Sequence, residues 1–141
     1  MTGFRLWEAA NRWQRQMRAA LDDVGLTPVQ FSVLVTAAWL GQGSEPVTQR
    51  ALARHARLDE MMTSQVLRAL EVRGMVTREQ HPTDGRARRI DVTHAGLVAA
   101  NQAMQAAERA DKDFFAPLGG KAEKFAKRLR ALTESEAPPE R

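Results

Sequence analysis

The chain has 141 residues, 43% of them hydrophobic, which is enough for one domain with a real core. Its 21 Lys and Arg against 17 Asp and Glu leave a formal charge of +4, a mild excess that permits contact with nucleic acid without requiring it. There is no cysteine, which excludes disulfides, zinc-thiolate sites and thiol redox sensing, and no apolar run long enough to form a membrane-spanning helix.

Aromatic content is only 6% and Ala is abundant, a mixture suited to helices rather than to a β-sandwich. Residues 1–13 lack the charged-then-apolar layout of a signal peptide, so a cytoplasmic setting is expected.

Over residues 4–24, Phe4, Trp7, Ala10, Trp13, Met17, Ala20, Leu21 and Val24 recur at helical spacing and form one apolar stripe. Gly25 supplies a stop, and Thr27 followed by Pro28 reads as an N-cap with proline in the first turn. The helix that follows carries Phe31, Leu34, Val35 and Ala38 on one face and ends at Gly41. Two shorter helices come next, capped by Thr48 and Asp59. They run to about Ala56 and Arg73, with only residues 57–59 between them. So short a connection matches the helix-turn-helix pattern.

The chain then changes character. Residues 75–79 and 89–93 are β-compatible, and the stretch between them contains Pro82 and Asp84-Gly85, which is strong turn chemistry. This predicts a hairpin whose tip gathers Arg86, Arg88 and Arg89. Thr93 caps a long helix to about Phe115, which Pro117, Gly119 and Gly120 break. Residues 121–132 form a last amphipathic helix, and 133–141 a flexible tail. The predicted fold is mainly α with a small β-hairpin wing: a winged helix-turn-helix (27–93) between N- and C-terminal dimerisation helices (4–24 and 94–132), all in one domain. The terminal stripes exceed what the small central core can cover, so a second copy is the natural partner. An intramolecular helical hairpin is the alternative.

Projected at about 100° per residue, the second helix of the pair turns Thr63, Val66, Leu67 and Leu70 to the core. Met61, Ser64, Gln65 and Arg68 fall on the opposite side. A helix in the major groove needs groups that donate to and accept from base edges. Gln65 suits adenine, Arg68 suits guanine or a phosphate, and Met61 suits a thymine methyl. Thr48 and Gln49, at the start of the preceding helix, join the candidate DNA-binding set. An arginine-bearing wing suits the adjacent minor groove, so Arg86 and Arg88 belong to the set, with Asp84 orienting an arginine or capping the turn. Any surface helix shows polar residues outward, and a basic hairpin tip is often only solvated; following a helix-turn-helix, the two together favour DNA.

The ordered set Leu70, Glu71, Gly74, Val76, Arg78, Asp84, Gly85, Arg86, Ile90, Asp91, Val92, Thr93 and Gly96 resembles the MarR family of bacterial transcriptional regulators. The run Leu26, Thr27, Pro28, Val29, Gln30, Phe31 and Leu34 resembles the same family's second-helix opening. The resemblance extends over residues 4–132. It implies a triangular homodimer reading a palindrome, usually as a repressor, with Arg86 of an Asp-x-Arg wing motif in the minor groove. One departure stands out: Gln65 follows Ser64 where the family often has Arg, which puts one contact and the base preference in doubt.

The resemblance also implies a small aromatic ligand held between the dimerisation helices and the winged region. Arg12, Trp13, Gln16, Met17 and Trp39 are the candidate pocket residues, Arg12 meeting an anionic group and Gln16 donating to it. The same residues also suit plain core and dimer packing. No cofactor or metal is expected, since His55, His81 and His94 fall in separate elements. With no phosphate loop or nucleophile elbow in the sequence, an enzyme is not expected. The rival from another class is a winged-helix protein-docking module without a DNA target. It would show apolar residues where Arg68, Arg86, Arg88 and Arg89 stand.

Overall fold

The structure, a computed structural model, describes residues 1–80 and 88–134. Six helices and one hairpin follow in the order α1 (Thr2–Asp22), α2 (Pro28–Leu40), α3 (Gln49–Ala56), α4 (Glu60–Val72), β1 (Val76–Gln80), β2 (Arg88–Val92), α5 (His94–Phe115) and α6 (Ala122–Glu134). A 3₁₀ turn over Ala116–Lys121 separates the last two helices.

Local chemistry sets the helix starts. Thr27 and Gln30 form a reciprocal capping box at α2, where the Thr27 hydroxyl accepts from Gln30 N and the Gln30 side chain accepts from Thr27 N. The Thr48 hydroxyl accepts from Ala51 N, Asp59 Oδ1 from Met62 N at 2.7 Å, and the Thr93 hydroxyl from Gly96 N. Each occupies one of the first-turn N–H groups that a helix cannot satisfy internally.

Three helix ends share one device. After α1, Leu26 N donates to Leu21 O and Gly25 N to Asp22 O. After α3, Leu58 N donates to Ala53 O and Arg57 N to Arg54 O. After α4, Met75 N donates to Leu70 O and Gly74 N to Glu71 O. This paired closure requires a left-handed residue, here Gly25 (φ 76°), Arg57 (φ 55°) and Gly74 (φ 71°). Arg57 is the one non-glycine among the three, and it sits in the turn between α3 and α4.

The core lies where α2, α3, α4 and the hairpin meet α1 and α5. Leu21, Leu26, Val33, Leu34, Leu52, Leu67, Leu70, Val76 and Ile90 are fully buried there, each stabilising the fold by about 1.5–3 kcal/mol. α5 presents Ala99, Ala100, Ala103 and Ala107 to this core, small residues that let it pack closely along α1. Thr63 is the one buried polar residue of the described core, and its hydroxyl donates to Asp59 O at 2.9 Å.

The hairpin is antiparallel, in a register that runs from Val76 opposite Val92 to Gln80 opposite Arg88. β1 lies one residue later than the sequence expectation and β2 one residue earlier, the latter ending at Val92 because Thr93 caps α5. A further contact ties the hairpin to the helix pair: Ile90 N donates to Val47 O at 2.8 Å, and Thr48 bridges to Arg89. Val47 and Thr48, just before α3, therefore form a short third strand-like edge beside β2. At the C-terminal end α6 continues through Glu134, where Arg130 faces Glu134, rather than ending at Leu132. Phe125 holds α6 against Phe115, with ring centroids 5.9 Å apart.

Candidate nucleic-acid interface

α4 is built with two unlike faces. Thr63, Leu67 and Leu70 are fully buried, and Val66 is half-buried beside them. Met61 is 74% exposed, Gln65 and Arg68 are exposed, Ser64 is half-buried, and Met62 stands on the flank. The exposed side chains therefore follow one strip from the capped end of α4 through its middle. That is the strip a groove-seated helix offers to base edges and phosphates. Ser64 and Gln65 donate and accept, Arg68 only donates, and Met61 is apolar.

The surroundings hold this helix at both ends. At its start, Arg50 Nε of α3 lies 3.3 Å from Glu60 Oε1, a surface pair that brings the two helices' N-termini together. At its end, Arg73 Nη1 donates to Gly25 O in the turn between α1 and α2. Along β1, the well-buried Arg78 side chain reaches Glu71 of α4 at 3.4 Å. Exposed Arg54 and Arg57 add positive charge on the neighbouring helix and its turn.

Thr48 and Gln49 stand at the start of α3, both half-buried. The Thr48 hydroxyl is occupied as a cap, and Gln49 Oε1 is buried without a hydrogen-bond partner among the described residues. These two positions face inward more than the α4 strip does. Arg88 is exposed at the end of β2. Arg89 is held back on the strand, its Nε 3.0 Å from Asp91 Oδ2. The three arginines grouped in sequence thus divide, with Arg88 outward and Arg89 tied to its own strand. Asp84 and Arg86 lie outside the described residues.

The candidate ligand residues do not converge on one pocket. Arg12 and Gln16 line a polar cleft of about 520 Å³ between the N-terminal half of α1 and the end of α5, near Asp113 and Phe114. Trp13 and Met17 lie around the helix on an apolar groove against Phe31 and Ser32 of α2, about 470 Å³ in volume. That groove continues past Met17 into a second part of about 380 Å³, walled by Val35, Met104, Glu108 and Asp111. Trp39 lines neither; it is 61% exposed and packs edge-on to His55 at 5.7 Å. The sequence reading missed Phe31, Met104, Glu108 and Asp111 as wall residues. The available signal was the i, i+3 and i, i+4 spacing of Met104, Ala107, Glu108 and Asp111 along α5.

Among the described residues no group of three or more His, Asp or Glu is placed to hold a metal ion. His55 and His94 are exposed and far apart in sequence, and His81 lies outside the described residues. No helix is long and apolar enough to cross a membrane.

Residues 26–87, which take in α2, α3, α4 and β1 and stop just short of β2, match the MarR family. An uncharacterised HTH-type transcriptional regulator of Bacillus subtilis, YdcH, is 36% identical over 134 residues, covering 95% of this chain and 90% of the relative. CouR from Rhodococcus jostii, solved bound to p-coumaroyl-CoA, superposes with a TM-score of 0.78 at 28% identity, covering 99% of this chain and 94% of that one. A Mycobacterium tuberculosis MarR family protein, solved in complex with DNA, superposes with a TM-score of 0.73 at 28% identity, covering 94% of this chain and 97% of that one. The two-faced α4, the hairpin packed beside it and these likenesses agree: the chain belongs to the MarR family of winged helix-turn-helix, DNA-binding transcriptional regulators.

Proposed function

We propose that the chain acts as a homodimer that represses transcription from a palindromic operator in the cytoplasm and is released by a small ligand. The carrying observation is the polar strip of α4, Ser64, Gln65 and Arg68, held outward by a fully buried opposite face. In this reading α4 enters the major groove, where Gln65 pairs with adenine and Arg68 with guanine or phosphate. Arg88 and the sequence-assigned Arg86 serve the minor groove alongside, with Asp84 orienting Arg86. Thr48 and Gln49 support the entry of the helix pair rather than reading bases.

Dimerisation draws support from the terminal helices. Phe4 and Trp7 of α1 are 66% and 67% exposed, and Leu132 of α6 is 65% exposed. These are large apolar groups left bare at the two helices that flank the winged region, and a second copy offers matching surface. Two-fold symmetry then sets two α4 helices about 34 Å apart, one DNA turn. Release by a ligand has its support in the apolar groove at Trp13 and Met17, and in the p-coumaroyl-CoA complex of CouR.

Selection from a random duplex library followed by sedimentation of the complex tests this reading. An inverted repeat with half-site centres about ten base pairs apart, bound by two chains, is the expected result. A half-site consensus bound by one chain would contradict the dimeric reading. The exposed Met61 and Met62 favour a protein-docking role, and that role would be indicated if no duplex were enriched.

A further inference from the structure

The groove that runs from Trp13 to Met104 has a definite electrostatic character. Its inner wall is apolar, built from Met17 of α1, Phe31 and Val35 of α2, and Met104 and Ala107 of α5. The charged groups on its α5 side are both carboxylates, Glu108 and Asp111, and both belong to exposed residues. Asp111 is already oriented: its Oδ1 accepts from Trp13 Nε1 at 2.9 Å, leaving the other oxygen free of that bond. Arg18 stands at the opposite end, on the part shared by α1 and α2. Arg12, the side chain suited to an anionic ligand, lies on a different cleft with Gln16.

An apolar trough walled by aromatic rings, with two carboxylates along one rim, is complementary to an amphipathic cation. We propose that this groove binds an organic ammonium with an aromatic or alkyl body, and that its occupancy sets the protein's affinity for DNA. The regulatory half of this statement rests on the function proposed above; the choice of ligand charge does not. The body of the ligand covers Met17, Phe31 and Met104, while its ammonium meets Glu108 and Asp111 beside the Trp13 ring. Pulling Asp111 toward the ammonium competes with its bond to the Trp13 indole, which ties α1 to α5. Ligand charge thereby reaches the contact between the two helices that flank the winged region.

The test uses a matched pair, 2-naphthylmethylammonium and 2-naphthylacetate, which share a ring system and differ in charge. Calorimetric titration of the intact protein is expected to show the cation binding at least tenfold tighter. In the Glu108→Gln, Asp111→Asn double variant that ratio is expected to fall to near one, with the circular-dichroism spectrum retained because the amide oxygen can still accept from Trp13 Nε1. Met104→Trp, which fills the trough, is expected to abolish binding of the cation. The naphthyl cation, and not the anion, is expected to raise the apparent Kd for DNA in a gel-shift titration. Equal or tighter binding of the anion, no binding of either probe, or a ratio that survives the double substitution would overturn the proposal. Cation binding with no change in DNA affinity would overturn its regulatory half alone. Failure of the protein to bind any duplex in the absence of probes would instead strike the function proposed above.

Discussion

Gly96 sits in the first turn of α5, against the strand that leaves α4. A Cβ built there falls 2.0 Å from Met75 O, 2.8 Å from Val92 Cγ1 and 2.9 Å from Met75 C. The nearest obstacle is the Met75 backbone, which no side-chain rotation relieves, so α5 must move away from the hairpin by about 1 Å or more. The same junction holds the Thr93 N bond to Met75 O at 3.0 Å and the Thr93 hydroxyl bond to Gly74 O at 2.6 Å. Gly96→Ala therefore combines overpacking, about 1–3 kcal/mol, with weakening of hydrogen bonds that contribute about 1 kcal/mol each. A loss of about 3 kcal/mol is expected, which lowers the Tm by roughly 10 °C. Urea unfolding followed by circular dichroism, at one fixed protein concentration because dimerisation shifts stability, measures it. A loss under about 1 kcal/mol would mean that α5 does not seat on the hairpin as described.

Other substitutions probe the remaining elements. Arg57→Gly removes the left-handed strain from a non-glycine residue in the turn between α3 and α4, and is expected to stabilise the fold by about 1 kcal/mol in the same unfolding assay. Asp59→Ala deletes the cap of α4 and is expected to cost about 1 kcal/mol. Arg68→Ala is expected to lower DNA affinity similarly across sequences and reduce the log–log salt slope by about one if it contacts phosphate, or to relax one base position if it reads guanine; competition binding separates the two. Arg86→Ala is expected to weaken operator binding by about 1–3 kcal/mol, and an unchanged Kd at moderate salt would remove the wing from the mechanism.

The fold was legible where local chemistry and tertiary packing ask for the same thing. Thr27, Thr48, Asp59 and Thr93 cap the helices that the sequence pattern assigns to them, and Gly25 closes α1 in the expected way. The two faces of α4 followed from spacing alone, because a helical period leaves little choice once Leu67 and Leu70 are inside. The attachment of the hairpin through Val47 was not legible, since a single strand-like bond between distant residues has no periodic signature. Nor was the tie between Arg89 and Asp91, which separates Arg89 from the basic tip in which the sequence groups it.

The groove shows the same limit more sharply. Arg12 and Trp13 are neighbours in sequence, yet a helix rotates adjacent residues by about 100°, so they line different clefts. Trp39 has the chemistry of a pocket wall but lies near the end of α2, where its ring meets His55 instead. Glu108 and Asp111 gain meaning only when α5 is laid along α1 and α2, a packing that one-dimensional spacing does not specify.

The most direct test of the central claim is equilibrium binding to the DNA upstream of the protein's own gene and to a scrambled duplex of equal length, across a salt series. Tighter binding to the native duplex at moderate salt is expected, with a log–log slope corresponding to several phosphates and loss of that preference at one position per half-site in Gln65→Ala. Equal affinity for both duplexes, or a selected consensus that Gln65→Ala leaves untouched together with an unchanged Arg68→Ala profile, would contradict the assignment of α4 as the reading helix.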